Sequence, residues 1–161
     1  MPIPTTSIPQ LEDHLRHLGV APGKSLAVHS NLITFGKITG GIETLFQMLK
    51  DLVGESGTLI FPSYTLNLGG EDLFNPMTTP SSGMGTLSEF ARRSGEMKRT
   101  HSPTHSHLIT GAKTEALMHG DATCSLGPGS DFELMHNENV ELLLLGCTFH
   151  QGATFIHHVE A

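Results

Sequence analysis

Basic side chains are scarce: nine lysines and arginines stand against sixteen aspartates and glutamates in 161 residues, a formal net charge of −7. A general nucleic-acid binder neutralises phosphates with clustered Lys and Arg, so the balance argues against that class and suits a cationic or neutral ligand. Cysteine is scarcer still. Cys124 and Cys147 stand far apart with no C-x-x-C pairing, which excludes a zinc ribbon and a disulfide framework. Cys147 follows an apolar run and reads as a packing residue. No stretch approaches the roughly 18 to 20 apolar residues of a membrane span. Met1-Pro2-Ile3-Pro4 has neither the basic nor the apolar region of a secretory leader. No membrane association and a cytoplasmic location are therefore expected. Internal repeats, charge blocks and low-complexity tracts are missing too, so residues 1–161 read as one α/β domain with ordinary hydrophobic content, 37%.

Histidine, by contrast, occurs eleven times. His101, His105 and His107 with His150 invite a metal reading, but H-x-x-x-H-x-H matches no established zinc spacing, and no metal is expected.

Ile8, Leu11, Leu15 and Leu18 mark a first helix, with Ser7 and Gln10 as a capping box and Gly19 beyond its end. Residues 25–29 read as a short buried strand that delivers His29, Ser30 and Asn31 into a loop holding Gly36, Gly40 and Gly41. Ile42, Leu45, Phe46, Leu49, Leu52 and Val53 recur at helical spacing. The following strand, 58–61, stops at Pro62, and a strand, helix, strand unit of this length favours parallel pairing. Residues 62–85 form a long connection rich in Gly, Pro, Ser and Thr, the kind that is functional or disordered. Thr86 and Glu89 predict a capping box for a helix reaching Arg92 or Arg93. His107 to Thr110 predicts a strand, Ser130 and Glu133 a further capped helix, and 140–146 a buried strand. The layout is a three-layer α/β fold, a largely parallel or mixed sheet with helices on both faces. Ligands gather where such strands end, so the loops at His29-Ser30-Asn31, Pro62-Ser63-Tyr64 and Gly146-Cys147-Thr148 form the site hypothesis.

Near the end of the sequence, Thr154-Phe155-Ile156-His157-His158-Val159-Glu160 places an imidazole and a carboxylate three apart. On a helix they share one face. A carboxylate that holds the tautomer of a neutral imidazole makes a base for an amine or hydroxyl near neutral pH. The competing reading is an amphipathic helix end, with Ile156 packed inward and His157, His158 and Glu160 solvated.

The ordered set of fragments resembles the aminoglycoside 3-N-acetyltransferase family over nearly the whole chain. It comprises Gly19-Val20-x-Pro22-Gly23, Val28-His29-Ser30-x-Leu32 with Gly36 and Gly40-Gly41, Gly57-Thr58-Leu59-x-x-Pro62, and Phe74-x-Pro76 with Thr79-Pro80-Ser81, Gly85, Glu89 and Arg92. It continues with Arg99-Thr100-x-x-Pro103-x-x-Ser106, Gly111, Leu143-Leu144-Leu145-Gly146 and Thr154-x-x-His157-x-x-Glu160. The resemblance implies acetyl-coenzyme A as co-substrate and transfer of its acetyl group to an amine of an aminoglycoside, at the 3-amino position. It implies His157 as the base and Glu160 as its orienting partner or as a contact for the cationic substrate. It implies a coenzyme site at His29, Ser30, Asn31, Leu32 and Gly36, with Arg99 and Ser106 beside it, and an acceptor site with Tyr64, Asn75 and Glu160. No oligomeric state is assigned.

Departures from the family pattern are specific. Asn75 stands where the family usually has Asp, Ser102 where it has His, Asn31 where it has a second Ser, and Asp131 where it has Pro. Asn75 lacks a carboxylate for a cation, which keeps a non-antibiotic amino sugar open as acceptor. Family members continue well beyond the Thr154 to Glu160 motif, so the resemblance implies a missing C-terminal portion and weak or no activity from residues 1–161 alone. A non-catalytic coenzyme A or sugar-binding relative is the alternative from another class, and a metal-dependent hydrolase a third.

Overall fold

The computed structural model describes residues 3–69 and 73–161. In chain order its elements are β1 (Thr5–Thr6), α1 (Ile8–His17), β2 (Ser25–Ser30), a 3-10 turn (Leu32–Phe35), β3 (Lys37–Ile38), α2 (Gly41–Val53), β4 (Thr58–Pro62) and α3 (Thr86–Ser94). There follow β5 (Lys98–Arg99), β6 (His107–Gly111), α4 (Thr114–Leu117), α5 (Asp131–Asn137), β7 (Glu141–Leu145), α6 (Phe149–Gly152) and α7 (Ile156–Glu160).

The main sheet has five strands in the order β5-β6-β4-β2-β7. β4 and β7 both run parallel to β2, as a strand, helix, strand unit requires, whereas β6 runs antiparallel to β4 and β5 antiparallel to β6. The sheet is thus mixed. A small parallel pair, β1 with β3, stands apart from it.

Alternation along each strand divides the core between two faces. Leu26 and Val28 of β2, Leu59 and Phe61 of β4, Leu108 of β6 and Leu145 of β7 meet Leu11 and Leu15 of α1, Leu45, Phe46 and Leu49 of α2, and Leu87 and Ala91 of α3. Ile60 and Ile109 point the other way, onto Leu117 of α4, Phe132 and Met135 of α5, and Phe155. Helices therefore cover both faces, and the expected three-layer fold is the observed one.

Local chemistry explains most element ends. Ser7 and Gln10 form the expected capping box on α1. Thr86 does not cap α3: the N-cap is Gly85 and Thr86 is already helical. The Glu89 carboxylate turns instead to Arg92 and Arg93, and the Arg92 hydrogen bond leads in holding it down at about 2. Ser130 accepts from the Glu133 N–H as a cap should, while the Glu133 side chain accepts from the Gly129 N–H. The strand expected to be buried at 140–146 is an edge strand, with Glu141 and Leu142 exposed. An edge position leaves one side without a pairing partner, and apolar content alone does not distinguish the two cases.

Candidate active site

The strands β2, β4 and β7 are parallel neighbours, so their C-terminal ends open on the same side of the sheet. The loops that follow converge on a cleft of ≈ 420 Å³ whose walls include His29, Ser30, Asn31, Tyr64, Cys147 and Thr154. All three strand-end loops of the site hypothesis contribute. Two further segments, Gly83-Met84-Gly85 and Gln151 with Thr154, complete the walls. The glycines were visible in the sequence only as part of a long loop. Gly85 has φ +87, and a Cβ there would come 3.3 Å from the Ser30 carbonyl oxygen, so a side chain would crowd the cleft wall.

Ser30 supplies the first chemical cue. Its hydroxyl is buried and has no hydrogen-bond partner among the described residues. A buried hydroxyl without a partner costs stability unless a ligand or water meets it. The Asn31 N–H is bound to the Leu145 carbonyl at 2.9 Å, and the 3-10 turn begins with Thr34 donating to the Asn31 carbonyl. That turn makes no use of the Leu32 and Ile33 N–H groups. The Leu32 side chain packs on the core, so only its backbone is available to a ligand.

His29 is buried, and burial first, then the neighbouring His107, pulls its imidazole down to about 4. At neutral pH it is an uncharged member of the wall. The folded-state value lies below the unfolded value of 6.5, so the unfolded chain binds the proton more readily. The stability this neutral imidazole permits is intact above pH 6.5 and is lost as pH falls toward 4. We expect about 2 kcal/mol to be lost by pH 5 on this account. Urea unfolding of the parent chain and His29→Gln at pH 7 and pH 5 checks it, because the variant should lose less; equal losses would refute the assignment.

Other members of the expected site have different surroundings. Arg99 and Ser106 are brought together, but inside the molecule: Arg99 Nε donates to Ser106 Oγ at 3.0 Å, and Ser106 Oγ donates to the Ser63 carbonyl at 2.6 Å. Arg99 also donates to the carbonyls of Thr79 and Ser63 and to Thr65 Oγ1, and lies 4.9 Å over the Phe74 ring. Burial lowers it to about 10, so it stays charged at neutral pH. Neither residue lines the cleft. Gly36 is explained by packing: with φ +66, a Cβ would fall 2.1 Å from the Pro4 carbonyl oxygen. Asn75 is exposed, and its side-chain carbonyl accepts from the Met77 N–H at 2.9 Å, closing a local turn away from the cleft walls.

The Thr154 to Glu160 motif divides between wall and surface. Thr154 lines the cleft. His157 and Glu160 lie on α7 with His157 Nδ1 3.3 Å from Glu160 Oε2, the contact their spacing predicts. Both side chains are more than half exposed, at 62% and 67%. Within the same helix, Ile156 is exposed, and His158 turns inward to stack on Phe132 at 6.4 Å between ring centroids. The helix-end alternative had these two side chains reversed. His105 and His107, considered above as metal ligands, face Ser125 and Asp131 respectively.

Residues 27–161 match the family model described as aminoglycoside 3-N-acetyltransferase. The aminoglycoside N(3')-acetyltransferase-like protein YokD of Bacillus subtilis is 28% identical, with 90% of this chain and 61% of that protein covered. Aminoglycoside N(3)-acetyltransferase III of Salmonella sp is 30% identical, with 94% of this chain and 59% of that protein covered. Among solved structures, aminoglycoside acetyltransferase AAC(3)-Xa superposes with a TM-score of 0.84 at 27% identity, covering 98% of this chain and 61% of the other. A variant of AAC(3)-IVa in complex with apramycin superposes with a TM-score of 0.79 at 27% identity, covering 92% and 60%. The chain thus spans about three fifths of the length of these relatives. With the family model matched over most of its length, and the same fold recurring in these solved structures, the chain belongs to the aminoglycoside 3-N-acetyltransferase family.

Proposed function

We propose that the chain is a cytoplasmic N-acetyltransferase that moves the acetyl group of acetyl-coenzyme A to an amine of an aminoglycoside, the 3-amino group by family resemblance. The observation that carries this reading is the cleft where β2, β4 and β7 end, with the orphaned Ser30 hydroxyl in its wall and Thr154 linking it to His157. The His157 N–H donates to the Thr154 carbonyl at 3.1 Å, so the wall residue and the base are joined by one backbone turn.

Acetyl-coenzyme A supplies an activated acyl group as a thioester. The Ser30 hydroxyl, the Asn31 side chain and the Leu32 N–H are the groups of this chain that would hold it. Arg99 and Ser106 support that wall from inside through Ser63 and Thr65. An ammonium has no lone pair, so a base must first remove a proton. Glu160 accepts from His157 Nδ1–H, which leaves Nε2 as the basic atom. The amine nitrogen then forms the C–N bond, the C–S bond breaks, and the sulfur leaves as the thiol of coenzyme A with the proton that balances the reaction. The net charge of −7 favours encounter with a polycation.

A second reading, an amino sugar outside the antibiotic class, is favoured by Asn75, which carries no charge and spends its side-chain carbonyl on a local turn. One assay tests both. Acetyl-coenzyme A is offered with apramycin, other aminoglycosides and simple amino sugars, following thiol release and product mass, with coenzyme binding measured in parallel. Acetylated aminoglycoside is the expected product. Product from simple amino sugars alone selects the second reading, and binding without turnover of any amine refutes both for residues 1–161.

A further inference from the structure

Behind the cleft wall lies a buried polar chain that the proposed chemistry does not use. Asp131, at the first turn of α5, is 4% exposed, and His107, at the start of β6, is 2% exposed. His107 Nδ1 lies 3.2 Å from Asp131 Oδ2, which also accepts from Thr100 Oγ1. The same threonine oxygen accepts from the His107 N–H at 2.9 Å, so one side chain holds both partners. Gly120 closes the far side, where a Cβ would come 2.3 Å from Asp131 Oδ1. On the other side of the imidazole, Nε2 lies 3.4 Å from the Tyr64 hydroxyl, with Phe132 edge-on at 5.0 Å. Tyr64, 4% exposed, lines the cleft, as does Thr154.

Donor and acceptor inventories give this chain a direction. An ionised carboxylate only accepts, so Nδ1 of His107 carries the proton. When the imidazole carries no second proton, Nε2 is then an acceptor and the Tyr64 O–H donates to it across the 3.4 Å contact. The phenol has one proton, and in that arrangement it points inward. Burial raises the Tyr64 phenol above its ordinary range, so it remains a phenol at any pH of interest.

We propose that Asp131 and His107 are positioning residues that keep the Tyr64 proton turned inward, so that the phenol oxygen serves the cleft as a hydrogen-bond acceptor and favours a ligand bearing N–H groups, the amine of the acceptor. The role rests on reading the cleft as the site of acetyl transfer. It assigns a purpose to Asp131, which stands where the family pattern has proline. With an amide in place of the carboxylate, the side chain can donate to Nδ1, the imidazole proton moves to Nε2, and the Tyr64 proton is displaced toward the cleft. The acceptor then becomes a donor, facing an amine that is itself a donor.

Two readouts separate this from a purely structural role. Ring nitrogen shifts of His107 report its tautomer without any ligand, and calorimetric titration with apramycin reports the cleft. The parent chain is expected in the Nδ1–H tautomer, Asp131→Asn in the Nε2–H tautomer, and Tyr64→Phe unchanged from the parent. Apramycin affinity is expected to fall about tenfold in each variant, with no further loss when the two are combined. Additive losses, an unchanged tautomer in Asp131→Asn, or apramycin binding insensitive to Asp131→Asn overturns the positioning role. Should Asp131→Asn fail to fold, Tyr64→Phe alone decides: undiminished affinity for apramycin overturns the proposal. Absence of apramycin binding by the parent chain overturns this role, and absence of coenzyme A binding as well overturns the reading of the cleft itself.

Discussion

Replacing His157 by alanine is expected to lower acetyl transfer by about 10²- to 10⁴-fold, the range that a positioned general base contributes. Stability should move by less than about 0.5 kcal/mol, as for other surface substitutions. The two expectations belong together. His157 is 62% exposed, and its side-chain partner, Glu160, is exposed as well. An ion pair so placed is worth little to the fold, at most about 1 kcal/mol. Coenzyme binding should persist, because the groups assigned to it lie at the C-terminal end of β2 and in the 3-10 turn, and none belongs to α7. Acetyl-coenzyme A turnover, calorimetric coenzyme titration and a urea unfolding curve check the three parts. If turnover is unchanged, His157 is a solvated side chain and the base lies elsewhere. If turnover falls only together with the unfolding midpoint, the motif is structural.

Arg99→Ala should show the opposite pattern, a loss of about 1.5 to 3 kcal/mol of folding stability, the scale of removing a buried charged donor from neutral acceptors. Arg99 is 5% exposed, and its guanidinium binds groups from separate parts of the chain: Ser63 and Thr65 after β4, Thr79 in the long connection, and Ser106 before β6. Truncation strands the Thr79 carbonyl, leaves the Ser63 carbonyl and the Ser106 hydroxyl only each other and the Thr65 hydroxyl only the Pro80 carbonyl, and removes the contact over Phe74. Lysine should not rescue it, since a point charge cannot reproduce a planar fork with bonds in several directions. Arg93, whose side chain is 74% exposed, supplies the control: Arg93→Ala should change stability by less than about 0.5 kcal/mol. Urea unfolding of the three variants decides the matter. A stable Arg99→Ala chain with weakened coenzyme binding would restore the phosphate-contact role that the resemblance implies.

These contrasting expectations mark how far the residue pattern could be followed. The layered fold was legible because α2 carries its apolar face at helical spacing and because glycine and proline punctuate β2 and β4. The strand-end loops followed, since parallel strands must open on one side of the sheet. The antiparallel β6 was not legible: a few apolar residues after a long loop specify a strand and not its direction. The edge position of β7 escaped for a similar reason, because Leu142 to Leu145 is as apolar as an interior strand. Arg99 was singled out, but its partners lie 7 to 36 residues away, and no local spacing encodes them. The contact between Asp131 and His107 spans 24 residues and a loop; the sequence flagged Asp131 as a departure without pointing to its partner. His157 and Glu160 were legible as a pair because three residues on a helix bring side chains together, whereas their exposure depends on what α7 rests against.

The pairing of β2 with β7 also orders events in time. Just past the end of β7 the Cys147 thiol donates to the His29 carbonyl of β2 across 118 residues of sequence. Contacts of such separation close late, after the entropy of a long loop has been overcome, while β2, α2 and β4 are neighbours in sequence and can assemble among themselves. The scaffold therefore comes together before its pocket does. Cys147, Gln151 and Thr154 reach the cleft only when β7 docks, so the site is complete only once that pairing has formed. Whatever binds there acts on the last step of folding, holding β7 in register once it has arrived.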